Sequence, residues 1–155
     1  MDEVYKLLIA NRPYVGLNSR YTYFLLAKDF SDTCLVAKKD GKVVAFSSGY
    51  VPPKRKGTFF NWEIVVDQEH RGNGLQQALL LQQIKLSGAK YLELTVNPSN
   101  DACKRNVLDL ANMLGAGYEE SVLFSKEDFG NDGHETEILF RVGPISPSAI
   151  LKIKP

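Results

Sequence analysis

Hydrophobic and polar positions follow two periods along this chain, helical at first and then extended. Asp2–Ala10 reads as a short helix stopped by Asn11-Arg12-Pro13. Asn18-Ser19 offers a cap, and residues 21–28 follow as a second, aromatic-rich helical segment. The pattern then becomes that of strands. Residues 33–38 and 43–51 read as a hairpin about Lys39-Asp40-Gly41-Lys42, with Pro52-Pro53-Lys54-Arg55-Lys56-Gly57 as the loop that follows. Thr58–Val66 is almost continuously apolar, as a central strand buried on both faces would be. Residues 72–87 predict a helix whose apolar face carries Leu75, Ala78, Leu79 and Leu86, widened by Leu80, Leu81 and Ile84. Gly88 stands where a left-handed cap is expected. Tyr91–Val96 reads as a strand and Asp101–Leu114 as a helix closed by Gly115-Ala116-Gly117. Residues 120–125 and 135–142 are the last strands, joined by a loop containing Gly130-Asn131-Asp132-Gly133. This order predicts an α/β fold with a mixed central sheet flanked by helices. Residues 1–144 form one domain, and residues 145–155 are a tail, docked or disordered.

Composition narrows the partners. The 155 residues are 44% hydrophobic and 24% charged, as in an ordinary soluble domain. Nineteen Lys and Arg balance eighteen Asp and Glu, which argues against a dedicated nucleic-acid binder. No apolar run approaches the ~20 residues of a membrane span, and the acidic start does not read as a signal peptide. A cytoplasmic protein acting on small molecules or a protein partner is the expectation. Two Cys and two His lie far apart in sequence, so neither a metal site nor a disulfide framework is expected. Cys34, in an apolar run, reads as an inert buried thiol.

The chemistry concentrates where the central strand meets Arg71-Gly72-Asn73-Gly74-Leu75. Glycines at a helix start let a ligand approach the backbone, and the free N–H groups there attract phosphate. A dinucleotide fingerprint requires a third glycine, but Gln77 occupies that place, and the G-K-[ST] of a Walker A loop is absent. The pyrophosphate loop of GNAT acyltransferases, [QR]-x-x-G-x-[GA], is similar to Arg71–Gln76 at every place except the last, where Gln76 replaces a small residue.

Blocks along nearly the whole chain extend this likeness. They include Leu17-Asn18-Ser19-Arg20-Tyr21, Phe59-Phe60-Asn61-Trp62, Pro98-Ser99-Asn100 and His134-Glu135-Thr136-Glu137. On these the chain resembles the L-2,4-diaminobutyrate acetyltransferases of ectoine biosynthesis, a GNAT family. The resemblance implies a GNAT fold, acetyl-CoA as co-substrate, a small primary amine as acceptor, an N-gamma-acetyl product and a homodimer. It also implies a first strand, for which no pattern precedes Asp2. Gly16 stands where the family carries an Asp that helps hold the diamino acid, Glu63 where it carries Gln, and Asn97 where many members carry Thr. A catalytically silent acyl-CoA-binding module is the alternative.

Such an enzyme must deprotonate an ammonium group of pKa about 10.4, at a cost of roughly 4–5 kcal/mol at pH 7. A base eases that step, and fixed N–H donors stabilise the oxyanion that follows. The resemblance assigns coenzyme contacts to Ile64, Val65, Val66, Arg71, Gly72, Asn73, Gly74, Leu75 and Asn100. Glu63 is the candidate base, against the plainer reading of a strand-end ion pair; Glu93 is an alternative base or a buried ion-pair partner. The usual acid, a Tyr seven residues after Asn100, is replaced by Val107, leaving solvent, Tyr21 or Tyr50 for that role. Tyr21 and Trp62 are candidates to wall the substrate. Glu135 and Glu137 are candidates to attract its positive charge, with alternation placing them on one strand face and His134 on the other; Glu93 and His134 are further candidate substrate contacts.

Overall fold

The computed structural model describes residues 1–12 and 15–152. Its first two helices are α1 (Asp2–Ala10) and α2 (Arg20–Asp29), and α2 is capped by Ser19, whose side chain accepts from the Thr22 N–H. The strands β1 (Leu35–Lys39) and β2 (Lys42–Tyr50) form the hairpin, with Asp40 and Gly41 both at positive φ as a tight two-residue turn requires. Then come β3 (Thr58–Val66), α3 (Leu75–Ser87), β4 (Tyr91–Val96) and α4 (Asp101–Leu114). The chain continues through β5 (Tyr118–Phe124), β6 (Glu137–Val142) and a short α5 (Pro147–Lys152). The six strands form one sheet in the order β1-β2-β3-β4-β6-β5. The β3–β4 pair is parallel and the rest are antiparallel.

Two apolar clusters cover the sheet. One gathers Phe59, Leu80, Ile84, Leu92, Leu94, Val107, Leu110 and Phe140 under α3 and α4. The other joins Leu7 and Leu8 of α1, Tyr23 and Leu26 of α2, and Phe46 and Val65 of the sheet. Ile64 packs against the first and its neighbour Val65 in the second, as strand alternation dictates. The tail also contributes: Ile145 is buried, its N–H bonds to the Lys90 carbonyl at 2.7 Å, and Ala149 and Ile150 pack against the first cluster.

Four expectations are corrected. Helix α3 begins at Leu75 rather than at residue 72, because Gly72 and Gly74 adopt φ of 76° and 72° and Gly74 becomes the left-handed N-cap. Its buried face is Leu79, Leu80, Leu81, Gln83 and Ile84, while Ala78 and Leu86 are exposed. Gln83 is fully buried because its amide bonds to Ser47, Asn61 and the Thr33 carbonyl. Cys34 precedes β1 and is half-buried, and the last long strand begins at Glu137 rather than at residue 135.

Candidate active site

The site arises where β3 and β4 part. Their parallel pairing runs from Thr58–Tyr91 to Asn61–Leu94 and stops there, although β3 continues to Val66. The register with β2 explains the divergence. Ser48 faces Glu63 and Gly49 faces Asn61, so Trp62 is an extra residue, a bulge that bends β3 away from its neighbour. The edge of Ile64, Val65 and Val66 turned toward β4 is thereby freed from that ladder.

A cleft of about 1170 Å³ opens at this fork. That exceeds the roughly 300–1,000 Å³ of a typical small-ligand pocket, and so suits a long ligand. One wall is Ile64, Val65, Val66, Arg71, Gly72, Gly74, Leu75, Gln76 and Gln77; the other includes Asn97, Ser99, Asn100, Cys103, Asn106 and Glu135. Among the described residues, no heavy atom beyond the chain neighbours lies within 4 Å of where a Cβ would stand on Gly72 or Gly74, so the turn presents bare backbone. The first-turn N–H groups of α3 lack intrahelical acceptors and make an anion cradle. Arg71 is anchored beside it, its Nε donating to the Val66 carbonyl at 3.2 Å and a guanidinium nitrogen to Asn11 Oδ1 at 2.8 Å. Asn73 is exposed, and its amide donates to the carbonyls of His70 and Arg71, bracing the turn. Gln76 accepts from the Asn106 amide at 2.8 Å and links α3 to α4 across the cleft.

On the far wall, Asn100 caps α4 by accepting from the Cys103 N–H at 3.0 Å. Glu135 precedes β6 and accepts from both the N–H and the hydroxyl of Ser99, while Glu137 accepts from Asn97 Nδ2 at 3.1 Å. The two carboxylates are held by different residues, and because only Glu137 lies on the strand the expected shared strand face does not form. His134 stacks on Phe129 at 4.1 Å. Burial, and then the Glu137 carboxylate, push the Cys103 thiol up to about 11, so it stays protonated.

Glu63 is 9% exposed, on the sheet face of Val65. Its Oε1 accepts from the Tyr23 hydroxyl at 3.3 Å, whereas Oε2 has no hydrogen-bond partner among the described residues. Burial pushes its carboxyl up to about 7, with the Tyr23 hydrogen bond opposing that rise. Sequence reasoning singled out Glu63 but missed Tyr23; the i+3 spacing from Tyr23 to Leu26, facing the core, was the available signal. Glu93 lies outside the cleft lining. Its carboxylate is engaged by Arg55 at 2.9 Å and by Arg141, the buried ion pair that was the plainer reading. Tyr21 is 69% exposed on the outer side of α2, and Trp62 at the bulge is 43% exposed. Tyr21, Trp62, Glu63, Asn73, His134 and Glu137 are likewise not part of the cleft wall.

A forked parallel pair, a glycine turn and an unblocked helix start together make one cleft suited to a long anionic ligand. Residues 1–105 match the model of the acetyltransferase (GNAT) family. Among curated relatives, the L-2,4-diaminobutyric acid acetyltransferase of Halalkalibacterium halodurans is 37% identical over 142 residues, 90% of this chain and 75% of that protein. The same-named protein of Marinococcus halophilus is 36% identical over 135 residues, covering 85% and 78%. A solved diaminobutyrate acetyltransferase from Paenibacillus lautus, in complex with L-2,4-diaminobutyric acid and coenzyme A, superposes with a TM-score of 0.85 at 34% identity, covering 92% of this chain and 88% of that one. Ard1 from Thermoplasma volcanium shares the fold, with a TM-score of 0.72 at 15% identity. The chain belongs to the L-2,4-diaminobutyric acid acetyltransferases of the GNAT family.

Proposed function

We propose that this acetyltransferase moves an acetyl group from acetyl-CoA to the γ-amino group of L-2,4-diaminobutyrate. The observation that carries the reading is the fork between β3 and β4, with its cleft running to the bare glycine turn. Names of the relatives and the ligands of the Paenibacillus lautus protein supply the substrate pair.

The residues fit that pair. The N–H groups following Gly72 and Gly74 and the guanidinium of Arg71 suit a pyrophosphate. The free edge of Ile64 to Val66 suits the pantetheine amides and offers an N–H to the developing oxyanion. The thioester supplies an activated acetyl group with a good leaving thiolate. Glu63, which lies outside the cleft wall, receives the ammonium proton through water, and a carboxyl titrating near 7 is well matched to a base at neutral pH. Glu135, on the far wall of the cleft, favours a cationic amine. Glu93 holds strands together rather than substrate.

A homodimer is the proposed assembly, supported by the edge strand β5, whose Tyr118, Val122 and Phe124 are about half exposed. Two free cysteines fit a cytoplasmic location. The deciding experiment mixes the protein with acetyl-CoA and, separately, diaminobutyrate, ornithine, lysine and diaminopropane, and follows release of coenzyme thiol. Highest kcat/KM with diaminobutyrate is expected, and no release with any of the four defeats the proposal.

A further inference from the structure

Glu63 sits in surroundings that a strand-end ion pair would not need. Tyr23 is 2% exposed, and its ring is wedged edge-on between Tyr5 at 6.0 Å and Phe46 at 6.3 Å, so its hydroxyl has one direction in which to point. That hydroxyl accepts from the Asn18 N–H at 3.1 Å and donates to Glu63 Oε1. It thus ties the loop before α2 to the carboxylate. Across the ladder, Ser48 is the register partner of Glu63. Opposed residues of an antiparallel pair share a face, with Cβ atoms about 5 Å apart. The Ser48 hydroxyl is buried and, like Glu63 Oε2, has no hydrogen-bond partner among the described residues. Two orphaned polar atoms on facing residues are rare in a native interior, where such groups are almost always satisfied.

We propose that Tyr23 and Ser48 are positioning residues for the base: Tyr23 fixes one oxygen of Glu63, and Ser48 with the other oxygen receives a water that carries the substrate's proton. This rests on the reading of Glu63 as the base. The water is needed because Glu63 does not itself line the cleft. In the step, one N–H bond of the ammonium breaks and its electron pair stays on nitrogen. The water takes that proton while passing another to Oε2, forming the O–H bond there. The carboxyl returns its proton to solvent over the same path after transfer.

The apolar cluster that holds Tyr23 includes Tyr5 from α1 and Cys34 before β1; Ser48 comes from β2, and Trp62 and Val65 flank along β3. Among these, Tyr23 is the one that bears on the ionisation of Glu63. Removing its hydrogen bond removes the influence that opposes burial.

The test uses the whole chain, with glutamate carboxyls labelled by carbon-13, and the variants Tyr23→Phe, Ser48→Ala and Glu63→Gln. The wild type is expected to show a carboxyl resonance titrating near pH 7 that is missing in Glu63→Gln. In Tyr23→Phe its midpoint is expected to rise by about half a unit or more, and the acid limb of the kcat–pH profile with it. Ser48→Ala is expected to lower kcat about tenfold without changing KM for acetyl-CoA. An unmoved resonance in Tyr23→Phe, beside a strongly impaired Glu63→Gln, overturns this proposal alone. Wild-type kcat in Glu63→Gln overturns the base reading and this proposal with it. Should Tyr23→Phe lose its fold, an unchanged kcat in Ser48→Ala overturns the relay.

Discussion

At the scale of single residues, Glu63 couples chemistry to stability. The ordinary carboxyl value is near 4.5 and the folded value about 7. Between those values the unfolded chain has released this proton and the folded chain has kept it. The folded state binds more protons, so its stability falls as pH rises through this window. Above the window, the folded protein carries a buried charge at a cost on the order of 3 kcal/mol. Glu63→Gln has no proton to lose. Its melting temperature is expected to stay level from pH 5 to 8 while that of the wild type declines relative to it. Calorimetry of both proteins across that range checks this, and parallel curves would show that the carboxyl titrates normally.

At the scale of elements, the fork depends on how β2, β3 and β4 are joined. Gly49 lies beside the bulge, and a Cβ there would stand 2.4 Å from both the Phe59 ring and the Phe60 carbonyl. One of those contacts is backbone, so it cannot swing aside. Gly49→Ala is therefore expected to destabilise the protein by about 3 kcal/mol, at the upper end of overpacking costs, measured as a fall in denaturant midpoint. In the middle of β4, Glu93 is joined to Arg55 in the loop before β3 and to Arg141 on β6. Arg55 is about half exposed, which weakens its share. Glu93→Gln leaves a buried pair broken and is expected to cost about 2 kcal/mol of stability, below the cost for fully buried pairs. KM for both substrates is expected to be unchanged; a large rise in KM for the amine would return Glu93 to the substrate site.

At the scale of the whole molecule, the cleft joins the two halves of the domain. β3 and α3 form one wall, the turn after β4 and α4 the other, and Gln76–Asn106 bridges them. A ligand filling the cleft adds contacts that exist only in the folded state. Coenzyme A at one hundred times its Kd is expected to stabilise the fold by about 2.7 kcal/mol, read as an upward shift in melting temperature of several degrees. Gly74→Ala places a side chain in a left-handed conformation and a methyl group at the cradle. It is expected to blunt that shift more than it lowers the melting temperature of the free protein.

Much of this molecule is written locally. Periodicity and caps are properties of neighbouring residues, which is why Thr58–Val66, Tyr91–Val96 and Asp101–Leu114 are legible to the residue. The glycine turn is legible for the same reason, since positive φ selects glycine at Gly72 and Gly74 wherever the rest of the chain goes. Tertiary structure decided what depends on distant partners. Trp62 becomes a bulge only when β2 sets the register, and Glu93 becomes an ion-pair partner only when Arg55 and Arg141 arrive. Glu135 and Glu137 part company because β6 begins only at Glu137, and Ser99 and Asn97 bond to one each. Tyr23, a core aromatic by its spacing, becomes a partner of Glu63 across forty positions of sequence because α2 packs on the face where the bulge has turned that carboxylate inward.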